Sequence, residues 1–204
     1  MNTIDNLQNT KTTLEYYNKN ASLFTKDTIS VDFSVLQNQF ISFLPKNASV
    51  LDLGCGSGRD SKYFLQNGFD VTSVDGSEEL CKIASRFIGQ PVIHSTFQNF
   101  TPDKMYDGIW ACSSLLHLSF TELHATIVNI TKYLMNSGIF YMSFKYGEFE
   151  GMRNERFFLD LNEGRFRELI SKIPDLSIVE MKITGDARPG REHEKWLNVF
   201  LKKE

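Results

Sequence analysis

Val50-Leu51-Asp52-Leu53-Gly54-Cys55-Gly56-Ser57-Gly58-Arg59-Asp60 decides the reading of this chain. An apolar strand pattern runs into three glycines at alternate positions and then into a helical pattern. A second apolar stretch, Asp70-Val71-Thr72-Ser73-Val74-Asp75, ends in an acid. Together they outline a nucleotide-binding βαβ unit. Glycines let the backbone turn tightly and approach a ligand closely. The helix that begins near Arg59 aims its free amides at the loop and favours a negative group there. Asp75, at the tip of the second strand, can accept hydrogen bonds from two ribose hydroxyls. The dinucleotide fingerprint would place glycines at 54, 56 and 59. Position 59 is Arg and the third glycine is Gly58, which counts against a pyrophosphate ligand.

Outward from this unit, strands are predicted at 49–53, 70–74, 91–94, 106–111 and 137–144. Helices are predicted at 59–66, 77–87, 120–134 and 161–171. The alternation implies a parallel sheet with helices on both faces. Leu176 to Ile183 and Trp196 to Leu201 read as two further strands. The connection between them is too short for a crossover helix, so they form an antiparallel hairpin. The expected fold is therefore α/β, a Rossmann-like seven-stranded sheet, mostly parallel with one antiparallel strand near the C-terminus. Before it, helices are predicted at 12–24 and 31–43, with residues 1–10 frayed. One domain over 1–204 is expected, a helical cap over 1–45 and an α/β core over 46–204.

The chain has 204 residues, 41% hydrophobic and 23% charged, in the range of a folded globular protein. A net charge of -3 argues against a broad nucleic-acid surface. No apolar run approaches the roughly 20 residues of a membrane span. Cys55, Cys81 and Cys112 are odd in number and lack metal-ligand spacing, so no metal and a reducing, cytoplasmic setting are expected.

The run Asp-Leu-Gly-Cys-Gly-Ser-Gly from Asp52 to Gly58 resembles the first motif of class I S-adenosylmethionine-dependent methyltransferases. Ser95-Thr96-Phe97-Gln98 and the segment Tyr106 to His117 match the family's third- and fourth-strand regions. The Gly-Ser-Gly-Arg-Asp run and Trp110-Ala111-Cys112-Ser113-Ser114-Leu115-Leu116-His117 resemble the small stand-alone tellurite-resistance and thiopurine-type enzymes. The resemblance implies S-adenosylmethionine as cofactor and S-adenosylhomocysteine as product. It implies cofactor contacts from Asp52, Gly54, Cys55, Gly56, Gly58, Asp75, Gly76, Ser77, Phe97, Gln98, Ala111 and Cys112. It also implies that the N-terminal helix folds over the cofactor as a lid.

Methyl transfer is an in-line displacement that leans on proximity and alignment. A base is needed only where the nucleophile carries a proton. His117, in the loop after the fourth strand, is the candidate catalytic residue, because neutral imidazole is available near pH 7. Tyr17, Ser113, His117, Lys145, Arg153, Arg188 and Arg191 are candidate substrate contacts. If the arginines converge, they suit an anionic acceptor. The Asn/Asp-Pro-Pro-Tyr/Phe motif of adenine and glutamine N-methylation is absent, as is a Pro-Cys nucleophile. The expectation is a small-molecule acceptor, anionic or with a heteroatom nucleophile, on a monomer or homodimer. A nucleic-acid (tRNA or rRNA) or protein methyltransferase is the alternative. Less favoured are an NAD-dependent oxidoreductase and a non-catalytic cofactor-binding protein.

Overall fold

The computed structural model describes residues 3–204, with side chains from residue 5 onward. Its centre is a seven-stranded sheet. In chain order the strands are β1 (Ser49–Leu53), β2 (Asp70–Asp75), β3 (Ile93–His94), β4 (Tyr106–Ala111), β5 (Leu134–Lys145), β8 (Leu176–Gly185) and β9 (Lys195–Lys203). Their order across the sheet is β3-β2-β1-β4-β5-β9-β8. β1 to β5 pair in parallel, and β9 runs antiparallel to both β5 and β8. The expected α/β architecture with one reversed strand is present. The order switches direction between β1 and β4, so the loops leaving these neighbours diverge and open a crevice at their carboxyl ends.

Alternation along the strands sorts side chains onto two faces. Val50, Trp110, Tyr141 and Phe200 point one way and pack with Phe40 and Phe64 of α2 (Ser34–Ser42) and α3 (Arg59–Gln66). Leu51, Ile109, Phe140 and Met142 point the other way, toward α5 (Phe120–Thr131) and α6 (Glu163–Ile170). The Trp110 and Tyr141 rings stack at 3.9 Å. α4 (Glu78–Ile88) starts at Ser77, whose hydroxyl accepts from the Leu80 amide. Ser119 and Glu122 form a reciprocal capping box on α5.

Three expectations need correction. Residues 3–10 are not frayed, because α1 spans Thr3–Thr28. Its outer positions are polar and Leu7 is exposed, so the apolar periodicity of the first turns is weak. α5 ends at Thr131 and β5 begins at Leu134, where an irregular register absorbs the residues up to Ser137 (φ 62°). The segment holding Arg153 and Arg156, for which no strand is predicted, is β structure. It is a separate hairpin of β6 (Glu150–Arg153) and β7 (Arg156–Leu159). Asn154 and Glu155 turn it at φ 50° and 61°. Such values usually announce themselves as Asn-Gly, and glycine is missing here.

α1 crosses the carboxyl ends of the central strands. Leu14 sits against Gly76 after β2, and the Phe24 ring lies over Gly56 after β1. Asn18 accepts from the Ser77 hydroxyl at 2.8 Å. At the hairpin, the Phe157 amide donates to Thr13 Oγ1 at 3.0 Å. Helix and hairpin together roof the crevice.

Candidate active site

Under this roof lies a cavity of about 570 Å³. This is within the roughly 300–1,000 Å³ range of small-molecule clefts. One end is the loop after β1. A Cβ on Gly54 would fall 2.4 Å from Ser114 Cβ and 3.3 Å from the Phe97 ring, so only glycine lets the two crevice walls meet here. Gly54, Cys55, Gly56, Asp75, Gly76, Phe97, Gln98 and Cys112 all line the cavity. Asp75 accepts from the Gly56 amide and from the Ser77 amide, each at 2.8 Å. Burial raises its carboxyl above the ordinary range against these two hydrogen bonds, which favour the anion.

Four residues expected at the cofactor do not line the cavity: Asp52, Gly58, Ser77 and Ala111. Asp52 is buried beneath the loop and accepts from Ser61 Oγ at 2.6 Å. Burial, with Asp60 nearby, raises its pKa. Gly58 (φ 82°) faces α4, and a Cβ there would meet Ile88 at 3.0 Å and Ala84 at 3.2 Å. It serves close helix packing. Ser77 caps α4, and Ala111 is buried within β4.

The other end of the cavity is built by the loop after β4, by β7 and by α1. His117 ends a 3₁₀ turn (Leu115–His117). Its Nδ1 lies 2.6 Å from the Phe157 carbonyl oxygen. A carbonyl has no proton to give, so Nδ1 carries the hydrogen and Nε2 is left with a lone pair. Tyr17 Oη, 2.8 Å from Nε2, therefore donates to it. Arg156 Nη1 donates to the Tyr17 oxygen at 3.4 Å. Burial holds the imidazole neutral, with its pKa down to about 4 despite the Phe157 hydrogen bond, and Arg156's charge adds to the lowering. Burial likewise raises the Tyr17 phenol, with Arg156 opposing. The result is a directed chain, Arg156 to Tyr17 to His117 to Phe157. Both nitrogens of His117 are engaged, and Tyr17 and His117 both line the cavity.

Ser113, Lys145, Arg153, Arg188 and Arg191 also line this end. Ser113 sits at φ 53°, and its amide donates to Ser143 Oγ at 2.8 Å. The late cations do converge on the cavity, but each has a carboxylate nearby, with Lys145 and Arg191 sharing one. Arg188 forms a two-pronged pair with Asp186. Burial opposes ionisation of Asp186, yet the Arg188 and Trp196 hydrogen bonds hold it down at about 2. Lys145 pairs with Glu194, and Arg191 lies 3.8 Å from the same carboxylate. Arg153 pairs with Asp160 at 2.8 Å.

Asp60 is the polar hub of the floor. It accepts from Gln37, Arg59 and the Trp110 indole at 2.6, 2.7 and 2.9 Å. Arg59 in turn lies under the Phe33 ring. Burial and nearby Asp60 raise the Cys112 thiol to about 12, so it stays protonated and is a poor nucleophile. Sequence reading missed Phe24 as a cavity residue and saw Arg156 only as one of several late arginines near a pocket mouth. Phe24 shows only as a helix-spaced apolar residue. Arg156 is hidden in a hairpin without a glycine signal.

Residues 51–142 match the family model described as a methyltransferase domain. The YqeM protein of Bacillus subtilis (strain 168), which carries a provisional methyltransferase name, is 29% identical over 116 residues, covering 52% of this chain and 47% of its own length. The chain spans about half the length of the curated relatives it matches. Among solved structures, 1,6-didemethyltoxoflavin-N1-methyltransferase of Burkholderia thailandensis, with bound 1,6-didemethyltoxoflavin and S-adenosylhomocysteine, superposes with a TM-score of 0.73 at 21% identity, covering 93% of this chain and 84% of that one. TehB from Haemophilus influenzae gives 0.68 at 19% identity, covering 89% and 66%. These likenesses establish a shared fold. The matched stretch carries the glycine loop, Asp75 and His117. α1 and the β6–β7 hairpin lie outside the matched stretch and complete the cavity.

Proposed function

We propose that the chain is an S-adenosylmethionine-dependent methyltransferase acting on a small-molecule acceptor, with residues 1–45 as cap and 46–204 as core. The observation that carries this is one roofed cavity running from the glycine loop and Asp75 to the Tyr17–His117 pair. The residues present fit the cofactor. A carboxylate offers about four acceptor positions, and two on Asp75 are taken by backbone amides, leaving two for ribose hydroxyls. The Gly54 and Gly56 positions leave close backbone approach open. The bound cofactor supplies an electrophilic sulfonium methyl with a neutral leaving group. The solved relative with S-adenosylhomocysteine bound supports the same assignment.

The protein's own share is to bind, align and exclude water. Tyr17 meets the acceptor and orients its proton-bearing heteroatom. His117 is a positioning residue rather than the base, because an imidazole with a pKa near 4 removes protons poorly at neutral pH. The acceptor is then one whose heteroatom proton is acidic enough to leave without a strong base. The free cysteines accord with a reducing, cytoplasmic setting. Equilibrium binding tests the reading: S-adenosylhomocysteine binds and NAD does not. Labelled methyl from S-adenosylmethionine then appears in small metabolites of an extract and not in its RNA or protein. Binding of NAD in place of S-adenosylhomocysteine, or label in the macromolecular fraction alone, overturns it.

A further inference from the structure

Six cationic side chains line the cavity, and five of them face a carboxylate: Arg59, Lys145, Arg153, Arg188 and Arg191. Among the described residues the sixth, Arg156, has none. Its guanidinium lies over the Tyr16 ring at 4.3 Å, the Phe158 ring at 5.1 Å and the Tyr17 ring at 5.7 Å. It has one long hydrogen bond, to Tyr17 Oη. Its Nε is fully buried and has no hydrogen-bond partner.

A guanidinium carries five N–H donors in a rigid fork. Ring faces answer its charge but not its donors. A buried donor left without a partner is destabilising. A planar anion meeting the Nη end of the fork would supply the missing charge. The side chain is also held in place. Arg156 follows the two left-handed residues Asn154 and Glu155, a conformation that costs non-glycine residues and persists only where the surroundings enforce it. The next residue, Phe157, is pinned on both sides, by Thr13 of α1 and by His117.

We propose that Arg156 is the receptor for an anionic group on the methyl acceptor. The acceptor is a small, flat, apolar molecule with a carboxylate-like anion close to the heteroatom that takes the methyl group. The flat apolar body follows from the Tyr16, Tyr17 and Phe158 rings around the fork. The closeness follows from the Arg156 Nη1 to Tyr17 Oη contact: an anion on the one and a proton-bearing heteroatom on the other occupy neighbouring positions. The inference rests on the methyl-transfer reading of the cavity. It moves the anion site from Arg188, which Asp186 already neutralises, and from Arg191, which is half-exposed and shares Glu194 with Lys145.

The test uses the full chain saturated with S-adenosylhomocysteine and two probes, 2-hydroxybenzoate and its uncharged counterpart 2-hydroxybenzamide, titrated by calorimetry. The acid binds wild-type protein at least tenfold more tightly than the amide, and Arg156→Gln removes that preference while S-adenosylhomocysteine still binds. Should Arg156→Gln lose S-adenosylhomocysteine binding, Arg156→Lys takes its place. It keeps a charge over the rings without the fork, and a tenfold loss in the same ratio is expected. Equal affinity for acid and amide, no acid binding at millimolar concentration, or a preference that survives both substitutions overturns the proposal. Failure of wild-type protein to bind S-adenosylhomocysteine marks instead a failure of the methyl-transfer reading.

Discussion

At the scale of single residues, tautomer and partner decide roles that residue type leaves open. His117 has the chemistry of a base, yet Phe157 takes its only proton and Tyr17 fills its lone pair. If His117 works through Tyr17, the two substitutions are not additive. Tyr17→Phe and His117→Ala should each lower kcat about tenfold or more, and the double variant should be no slower than the slower single one. Independent, multiplying losses would remove the positioning role. Asp60 is a different case. It is buried and answers Trp110, Gln37 and Arg59 at once. Asp60→Ala strands a buried cation and two donors, and should cost about 3–5 kcal/mol in urea unfolding.

At the scale of elements, the glycine loop divides its labour. Gly54 and Gly56 line the cavity, whereas Gly58 lets α3 pack on α4. Gly58→Ala enforces a left-handed alanine and crowds Ile88. It should destabilise the fold by about 1–2 kcal/mol, with S-adenosylhomocysteine affinity little changed in the folded protein. A tenfold affinity loss at unchanged stability would return Gly58 to the cofactor site. α1 is held to the crevice by a few side-chain contacts and polar bonds, with its outer face in solvent. Its amides should exchange faster than those of α5, and should slow when S-adenosylhomocysteine fills the cavity it roofs. Hydrogen exchange read by mass spectrometry decides this. The β6–β7 hairpin shows why some elements are hard to read. Its turn uses Asn154 and Glu155 in left-handed conformations that the tertiary contacts of Phe157 sustain, so no local turn signal marks it.

At the scale of the whole molecule, buried titratable groups shape stability against pH. His117 is neutral in the fold with a pKa near 4, against about 6.5 when unfolded. Between these values the unfolded chain binds the proton and the fold does not, so stability is complete above pH 6.5 and falls as pH drops toward 4, by about 3 kcal/mol. Asp52 and Asp75 act in the opposite sense. Burial raises both, so the fold holds protons that the unfolded chain releases, and stability falls as pH rises through their folded values. Urea unfolding across pH should show both limbs. Asp52→Asn should flatten the alkaline limb, and His117→Gln the acid one. A flat profile would mean these groups are hydrated in solution.

What the amino-acid sequence determined by itself was local and periodic. Alternating strands, helix-spaced stripes, three glycines and the acid of Asp75 are short-range patterns, and they carried the α/β sheet with its reversed strand and the cofactor end of the cavity. Only the tertiary structure decided which charges are spare. Pairing depends on side chains that meet from distant segments: Lys145 with Glu194, Arg153 with Asp160, Tyr17 with His117 across a hundred positions. Neutralisation is a property of those meetings and not of composition. That is why Arg188 reads as an anion binder in one dimension and proves satisfied in three, while Arg156 stands in the cavity with a donor left over.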